Sequence, residues 1–233
     1  MKVRRCTEAD LDGYLAVQEE EWGESMSASR AQLTTRFEHA GDLMLVVEHG
    51  GEVVGAASFV RLPDYDVDDH LSWEDATDGG WCTNTDPDGR VLFGVDLSVS
   101  RRAPRLASAR LMASCLELTM RTGVEALYWG SRLPRYHRHV DEMSADEYIR
   151  AKTRRGRHLD PEIELYSRVP GAEVLGVVPN YFKDWESCDY GCILRWRNPI
   201  DRYPFLRPFS GPILDRIYRR DRRRRRAAPA PGS

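Results

Sequence analysis

Between positions 91 and 130 the spacing of apolar residues changes twice. Residues 91–99 (VLFGVDLSV) are almost all strand-forming, with Asp96 as their one charge. A basic turn, RRAPR, follows at 101–105. Pro104 cannot lie deep inside a helix, so a helix begins at it or just after it. Over 106–121 apolar residues fall on nearly every side of that helix: Ala107, Leu111, Met112, Cys115, Leu116, Leu118 and Met120. A helix of that kind is expected to be buried. Gly123 suits its C-terminal cap, and 124–130 (VEALYWG) is a second short apolar strand. This order predicts two adjacent parallel strands joined by a right-handed crossover.

The same periods recur elsewhere. Thr7 and Asp10 make a capping-box-like start, after which Leu11, Tyr14, Leu15 and Trp22 mark one helical face. Ser29 and Gln32 repeat the signal ahead of Leu33 and Phe37. The runs 43–49 and 52–60 predict strands turning at Gly50-Gly51. Ser144 and Glu147 cap a helix carrying Tyr148 and Ile149. Pro161 opens another over 162–169, ended by Gly171, and 172–178 and 188–196 have strand composition. Residues 62–90 lack any period. They hold eight aspartates, broken by Trp73, Gly79-Gly80 and Trp81. That is either a solvated acidic loop or a wall of an acceptor pocket that favours a cationic substrate.

The strand–turn–helix unit has an obvious chemistry. The first turn of a helix offers N–H groups without partners and a partial positive charge, so it binds anions. Arg101, Arg102 and Arg105 add charge, and Ala107 and Ala109 allow close approach. The alternative is a buried structural unit with a solvated arginine turn.

The unit resembles the acyl-CoA-binding motif of the GNAT (N-acetyltransferase) superfamily, whose loop runs Arg or Gln, two residues, Gly, one residue, Gly or Ala. Here Pro104, Arg105, Leu106, Ala107, Ser108 and Ala109 occupy that run. Ala109 fits; Pro104 and Ala107 replace the basic residue and the first glycine. Three further blocks are TDGGWCTNTDPDGRVLFGVD, GSRLPRYHRHVDEMSADEYI, and VLGVVPNY with DWESCDYGCILRW. In order and spacing, over residues 43–198, they resemble the acetyltransferase-like domain fused to carbon–nitrogen hydrolases in bacteria.

The resemblance implies a single α/β domain over 1–198: a mixed, mostly antiparallel sheet flanked by helices, whose central parallel strands splay to admit the acyl thioester. It implies an acetyl-CoA or other acyl-CoA donor and a small-molecule amine as acceptor. Leu97, Ser98 and Val99 would offer backbone groups to the donor, and Arg105, Ala107, Ser108 and Ala109 would hold its phosphate. Tyr166, in the run LYSRVPG (165–171), would protonate the leaving thiolate; the other reading is a core tyrosine with a satisfied hydroxyl. Asp96 is the candidate base, although a mid-strand aspartate also serves by bonding its neighbours. His137, His139, Asp141 and Glu142 have the residue types of a metal or base site. The fused relatives carry a similar Tyr-His stretch, so a shared structural loop is expected here, and no metal.

Composition adds three points. Five cysteines with no metal spacing are expected to be reduced thiols, with Cys115 in the core. No apolar run approaches the roughly 20 residues of a membrane span, and the N-terminus has no apolar signal region. The expectation is a cytoplasmic protein without a membrane partner. Finally, the net charge of −3 conceals an asymmetry. Residues 216–233 hold eight arginines and one aspartate, +7, while the rest holds 26 basic and 36 acidic residues, −10. The Pro-rich segment 199–218 is expected to drape on the domain, and the Arg-rich tail 219–233 to be disordered. That tail supports a second function, an amide-forming acyltransferase that takes its acyl group from aminoacyl-tRNA. A third is a non-catalytic binding domain that keeps the fold.

Overall fold

The strand Met44–His49 (β2) divides its side chains by parity, as a strand with both faces covered must. Met44 and Val46 belong to a buried cluster with Leu11, Tyr14, Leu33 and Ala56. Leu45 and Val47 belong to the main core with Leu111, Leu116 and Met120. In the computed structural model, which describes residues 1–227, β2 is one strand of a seven-stranded sheet in the order β1-β2-β3-β4-β5-β7-β6. The others are β1 (Lys2–Arg5), β3 (Glu52–Leu62), β4 (Val91–Val99), β5 (Ala126–Ser131), β6 (Ala172–Val178) and β7 (Gly191–Arg197). Every neighbouring pair is antiparallel except β4 with β5. This is the expected mixed, mostly antiparallel sheet.

The helices are α1 (Leu11–Trp22), α2 (Arg30–Ala40), α3 (Trp73–Thr77), α4 (Ala107–Thr122), α5 (Ala145–Arg150), α6 (Pro161–Tyr166) and α7 (Ser210–Ala227). Capping boxes form where the sequence places them, at Ser29/Gln32 and Ser144/Glu147. Thr7/Asp10 forms one too, opening a single 3₁₀ turn before α1. Gly123 closes α4 in the left-handed conformation, as a glycine there can.

The β4–β5 pairing stops early, which shapes the centre of the molecule. The register runs from Val91↔Ala126 to Gly94↔Trp129 and no further. Across the other edge of β4, Phe59 pairs with Gly94 but Ser58 pairs with Asp96. Val95 is therefore an extra residue, a β-bulge, and a bulge bends its strand. Beyond it β4 stays with β3 while β5 follows β7. The expected splay begins at this bulge.

Several boundaries depart from the sequence expectation. The helix placed over 162–169 ends at Tyr166, because the following residues make single turns up to Gly171. The strand placed over 188–196 runs from Gly191 to Arg197, since Cys188 and Asp189 adopt the left-handed conformation after a short 3₁₀ turn. Residues 62–90 are no bare loop: Ser72 and Asp75 cap α3 within it. Disorder over 219–233 does not describe residues 219–227, which continue α7; residues 228–233 lie outside the described residues. Arginine is a good helix former, and α7 is anchored at both ends. Ser210 Oγ lies 3.4 Å from Glu117 Oε1, Leu214 is buried, and Arg225 donates to the Ser167 carbonyl at 2.9 Å. Helix α7 is the second cover that lets α4 be apolar on so many sides. The segment leading to it is pinned by Asn198, whose side-chain amide donates to the Val124 carbonyl at 2.7 Å.

Candidate active site

The splay opens a cavity of about 280 Å³. Its walls come from several elements. From the α1–α2 side come Gln18, Trp22 and Gln32; from β4, Gly94 to Leu97; from α4, Met112 and Cys115; from β5 and its exit, Trp129, Gly130 and Arg132; from α6, Glu162 and Tyr166. Trp73 and Gly79, from the acidic segment, close another side. That segment is thus a pocket wall, but its aspartates Asp64, Asp66, Asp68, Asp69, Asp75 and Asp78 are exposed at the surface, so the wall it offers is aromatic and backbone.

Helix α1 sets the β4 side through residues four apart, which share one helical face. Tyr14 donates its hydroxyl to Asp96 Oδ1 at 2.6 Å, Gln18 donates to Asp96 Oδ2, and Trp22 Nε1 donates to Ser98 Oγ at 2.8 Å. Asp96 and Ser98, two apart, share the facing side of β4. Asp96 also accepts from Ser58 Oγ at 3.1 Å and from Arg36 Nη1 at 2.8 Å. A carboxylate has about four lone-pair sites, and here four donors occupy them. Burial pulls the Arg36 pKa down, but the Asp96 charge, together with Cys82, Tyr14 and the hydrogen bond to Asp96, offsets this and holds it above the ordinary value. Arg36 also donates to the Gly80 carbonyl from two of its nitrogens.

The turn before α4 is fixed from α1 as well. Glu20 accepts from Ser100 Oγ at 2.8 Å and from the Arg101 N–H at 2.9 Å. Arg101, Arg102 and Arg105 stand exposed, and no side chain caps the N-terminus of α4 among the described residues. Ala107 is fully buried, so its methyl group points into the protein, while Ser108 and Ala109 face outward. A methyl in place of the first glycine therefore leaves the approach to this turn open.

On the far side, Tyr166 stacks edge-on against Trp129 with ring centroids 5.6 Å apart. Its hydroxyl makes no hydrogen bond among the described residues, and burial, then the charge of Glu162, holds its pKa well above the ordinary value. Trp129 is buried and its Nε1 has no partner among the described residues. Tyr181 crosses β5 at the splay: a Cβ on Gly130 would lie 1.9 Å from its hydroxyl, so only glycine fits there. Arg132 is held by Asp184, at 2.7 and 2.8 Å, and by Glu186 at 3.1 Å, and lies over the Trp22 ring.

The structure brings Asp96, Leu97 and Tyr166 to one cavity, with Arg105 and Ala107 to Ala109 at the turn that follows β4. The His137–Glu142 stretch is elsewhere. His137 Nδ1 meets the Glu186 carbonyl at 3.0 Å, and His139 stacks on Tyr148. Sequence reasoning missed Glu162, Arg132, Trp129 and the α1 residue Gln18. For Glu162 a signal existed, since it lies four residues before Tyr166 and so shares its helical face.

No protein-family model matches the chain. It is 31% identical over 204 residues to the uncharacterized N-acetyltransferase YkwB of Bacillus subtilis (strain 168), covering 85% of this chain and 89% of that protein. It is 29% identical over 206 residues to the probable hydrolase YhcX of the same organism, covering 88% of this chain and only 40% of YhcX, so the chain spans about two fifths of that relative. Among solved structures it superposes on the loading GNATL domain of CurA from Lyngbya majuscula with a TM-score of 0.73 at 20% identity, covering 84% of this chain and 96% of that one. It also superposes on the GNAT-like decarboxylase GphF in complex with isobutyryl-CoA, with a TM-score of 0.69 at 22% identity, covering 84% and 99%. With the splayed β4–β5 pair and the extended match to YkwB, the chain belongs to the GNAT superfamily of N-acetyltransferases.

Proposed function

We propose that the protein transfers an acyl group from an acyl-CoA-type donor to the amine of a small molecule. The observation that carries this reading is the cavity at the β4–β5 gap. It is bounded on one side by α4 and α6 and on the other by α1, α2 and the Trp73 segment. A donor and an acceptor can enter from different sides and meet at the gap. The name of YkwB and the isobutyryl-CoA in the GphF structure support the same class.

In this reading the donor phosphates lie on the N-terminus of α4, against Arg105, Ala107, Ser108 and Ala109. The backbone of Leu97 to Val99, past the bulge, is the edge of β4 that β5 has left. Its free N–H polarises the thioester carbonyl. Tyr166, with an unengaged hydroxyl beside Trp129, protonates the leaving thiolate. Asp96 is better read as a positioning residue than as the base, because four donors already use its lone pairs. Aminoacyl-tRNA as donor has one observation in its favour: the arginine end of α7 meets Ser167, the residue after Tyr166 at the end of α6.

The test is intact-mass analysis of a panel of primary amines incubated with acetyl-CoA, longer acyl-CoAs or charged tRNA. An amide product with acyl-CoA is expected. In Tyr166→Phe the turnover should fall by roughly 10²-fold with acetyl-CoA affinity unchanged. Product formed only with charged tRNA would replace the donor, and no product with any donor would refute acyl transfer.

A further inference from the structure

Glu162 lines the cavity from the first turn of α6, one helical turn before Tyr166. Its Oε2 lies 3.1 Å from Ser131 Oγ, at the end of β5, whose one proton it shares with the Arg132 carbonyl at 3.0 Å. Its Oε1 makes no hydrogen bond among the described residues.

The surrounding charges leave Glu162 uncompensated. The cation that acts on it is Arg132, whose guanidinium is already paired with Asp184 and Glu186. Asp160, in the loop before α6, is buried and faces Glu162 with like charge, as does Asp184 from the β6–β7 connection. Burial first, then Asp160, pushes the Glu162 carboxyl up to about 7, against the smaller opposing pulls of Ser131 and Arg132. Tyr166 is the other titratable group on this face of α6. A structural carboxylate would be expected to find a cation or several donors. A half-engaged carboxylate in a reaction cavity has the character of a general base.

We propose that Glu162 takes the proton of the acceptor amine and that Glu162 and Tyr166 form one proton circuit; this rests on the acyl-transfer reading above. The amine nitrogen attacks the thioester carbon and the N–C bond forms. The proton leaving nitrogen passes to Glu162 Oε1. The C–S bond breaks, its electron pair leaves on sulfur, and the thiolate takes the Tyr166 hydroxyl proton. Tyr166 then recovers a proton from Glu162. The sum is amine plus thioester giving amide plus thiol, with both side chains restored. Ser131 is a positioning residue that holds Oε2 and leaves Oε1 for the amine.

The test is the pH profile of kcat/KM with acetyl-CoA and the primary amine that gives most product. The wild type should show an ascending limb near pH 7. Glu162→Gln, of the same shape, should lose that limb and about 10²-fold in kcat, with acetyl-CoA binding by calorimetry unchanged. Ser131→Ala removes a donor that favours the charged form, so its limb should move to higher pH, a shift that a packing role would not produce. A folded Glu162→Gln enzyme with the wild-type limb and kcat overturns the proposal while acyl transfer stands. An unmoved limb in Ser131→Ala overturns the positioning step. A wild type that forms no amide from any donor overturns both the proposal and the acyl-transfer reading.

Discussion

Arg36 donates from the middle of α2 to Asp96 in the middle of β4, across 2.8 Å, with side chains only 2% and 9% exposed. Tyr14, Gln18 and Ser58 close the remaining lone pairs of Asp96. This pair fixes where α1 and α2 stand against the splayed strand. Together with that of Arg36, the hydrogen bonds of Tyr14, Gln18 and Ser58 engage both oxygens of the carboxylate.

Breaking such a pair from one side strands a buried charge, which costs about 3–5 kcal/mol. Asp96→Ala should lower the unfolding free energy by that amount in urea titrations. Asp96→Asn, which keeps the shape, should cost less and leave the pH profile of acyl transfer unmoved. A stable Asp96→Asn protein whose ascending limb disappeared would return Asp96 to the role of base.

Much of this arrangement was open to reading in the chain. The strand–turn–helix–strand at 91–130, the glycine cap at Gly123 and the capping boxes follow from local rules, and local rules are legible. The splay was implied by resemblance, but the point where it begins was not visible: the bulge at Val95 is a difference in register between β4 and β3, a non-local quantity. Asp96 looked like a base because sequence shows a charge in a strand and not the four donors around it. The burial of Glu162 is not legible in the sequence because it comes from β5 and the β6–β7 connection, far away in sequence. The tail looked disordered because its apolar anchors, Ile213, Leu214 and Tyr218, precede the arginines that they order.

The raised pKa of Glu162 is also a statement about stability. Its folded value of about 7 exceeds the ordinary 4.5, so the folded state holds the proton more tightly than the unfolded one. Folding is then penalised as pH rises from 4.5 through 7. The penalty is complete above that and absent below 4.5. Glu162→Gln should accordingly be more stable than the wild type at pH 8, by about 3 kcal/mol or several degrees in Tm. The two melting curves should converge by pH 4.5. A gap that is independent of pH would mean the carboxyl is not desolvated.

The turn before α4 carries the donor phosphates in the proposed reading. Arg105 is exposed and makes no ion pair among the described residues, so reversing its charge should leave the fold alone. Arg105→Glu should weaken acetyl-CoA binding by about tenfold in calorimetry, and less at high salt, where the exposed charge is screened. Unchanged affinity would move the phosphates away from this turn.

The arginines of α7 offer the last test. Arg222, Arg223, Arg224 and Arg225 are exposed on the final turns of the helix, and Arg225 pairs with Asp221 one turn back at 2.6 Å. Deleting the segment would remove helix as well as charge, so substitution is the cleaner experiment. Changing Arg222, Arg223 and Arg224 together to Gln keeps the helix propensity and the Arg225 contacts while it removes three charges. If the helix only covers α4, melting temperature, acyl-CoA turnover and salt dependence should all stay at wild-type values. If it holds a tRNA backbone, the wild type should bind charged tRNA with an affinity that falls steeply with salt. The triple substitution should then reduce the slope of log K against log salt by up to about 3, as three phosphate contacts are lost. A shallow slope in the wild type, unmoved by the substitution, would remove the aminoacyl-tRNA donor and leave α7 as a structural cover.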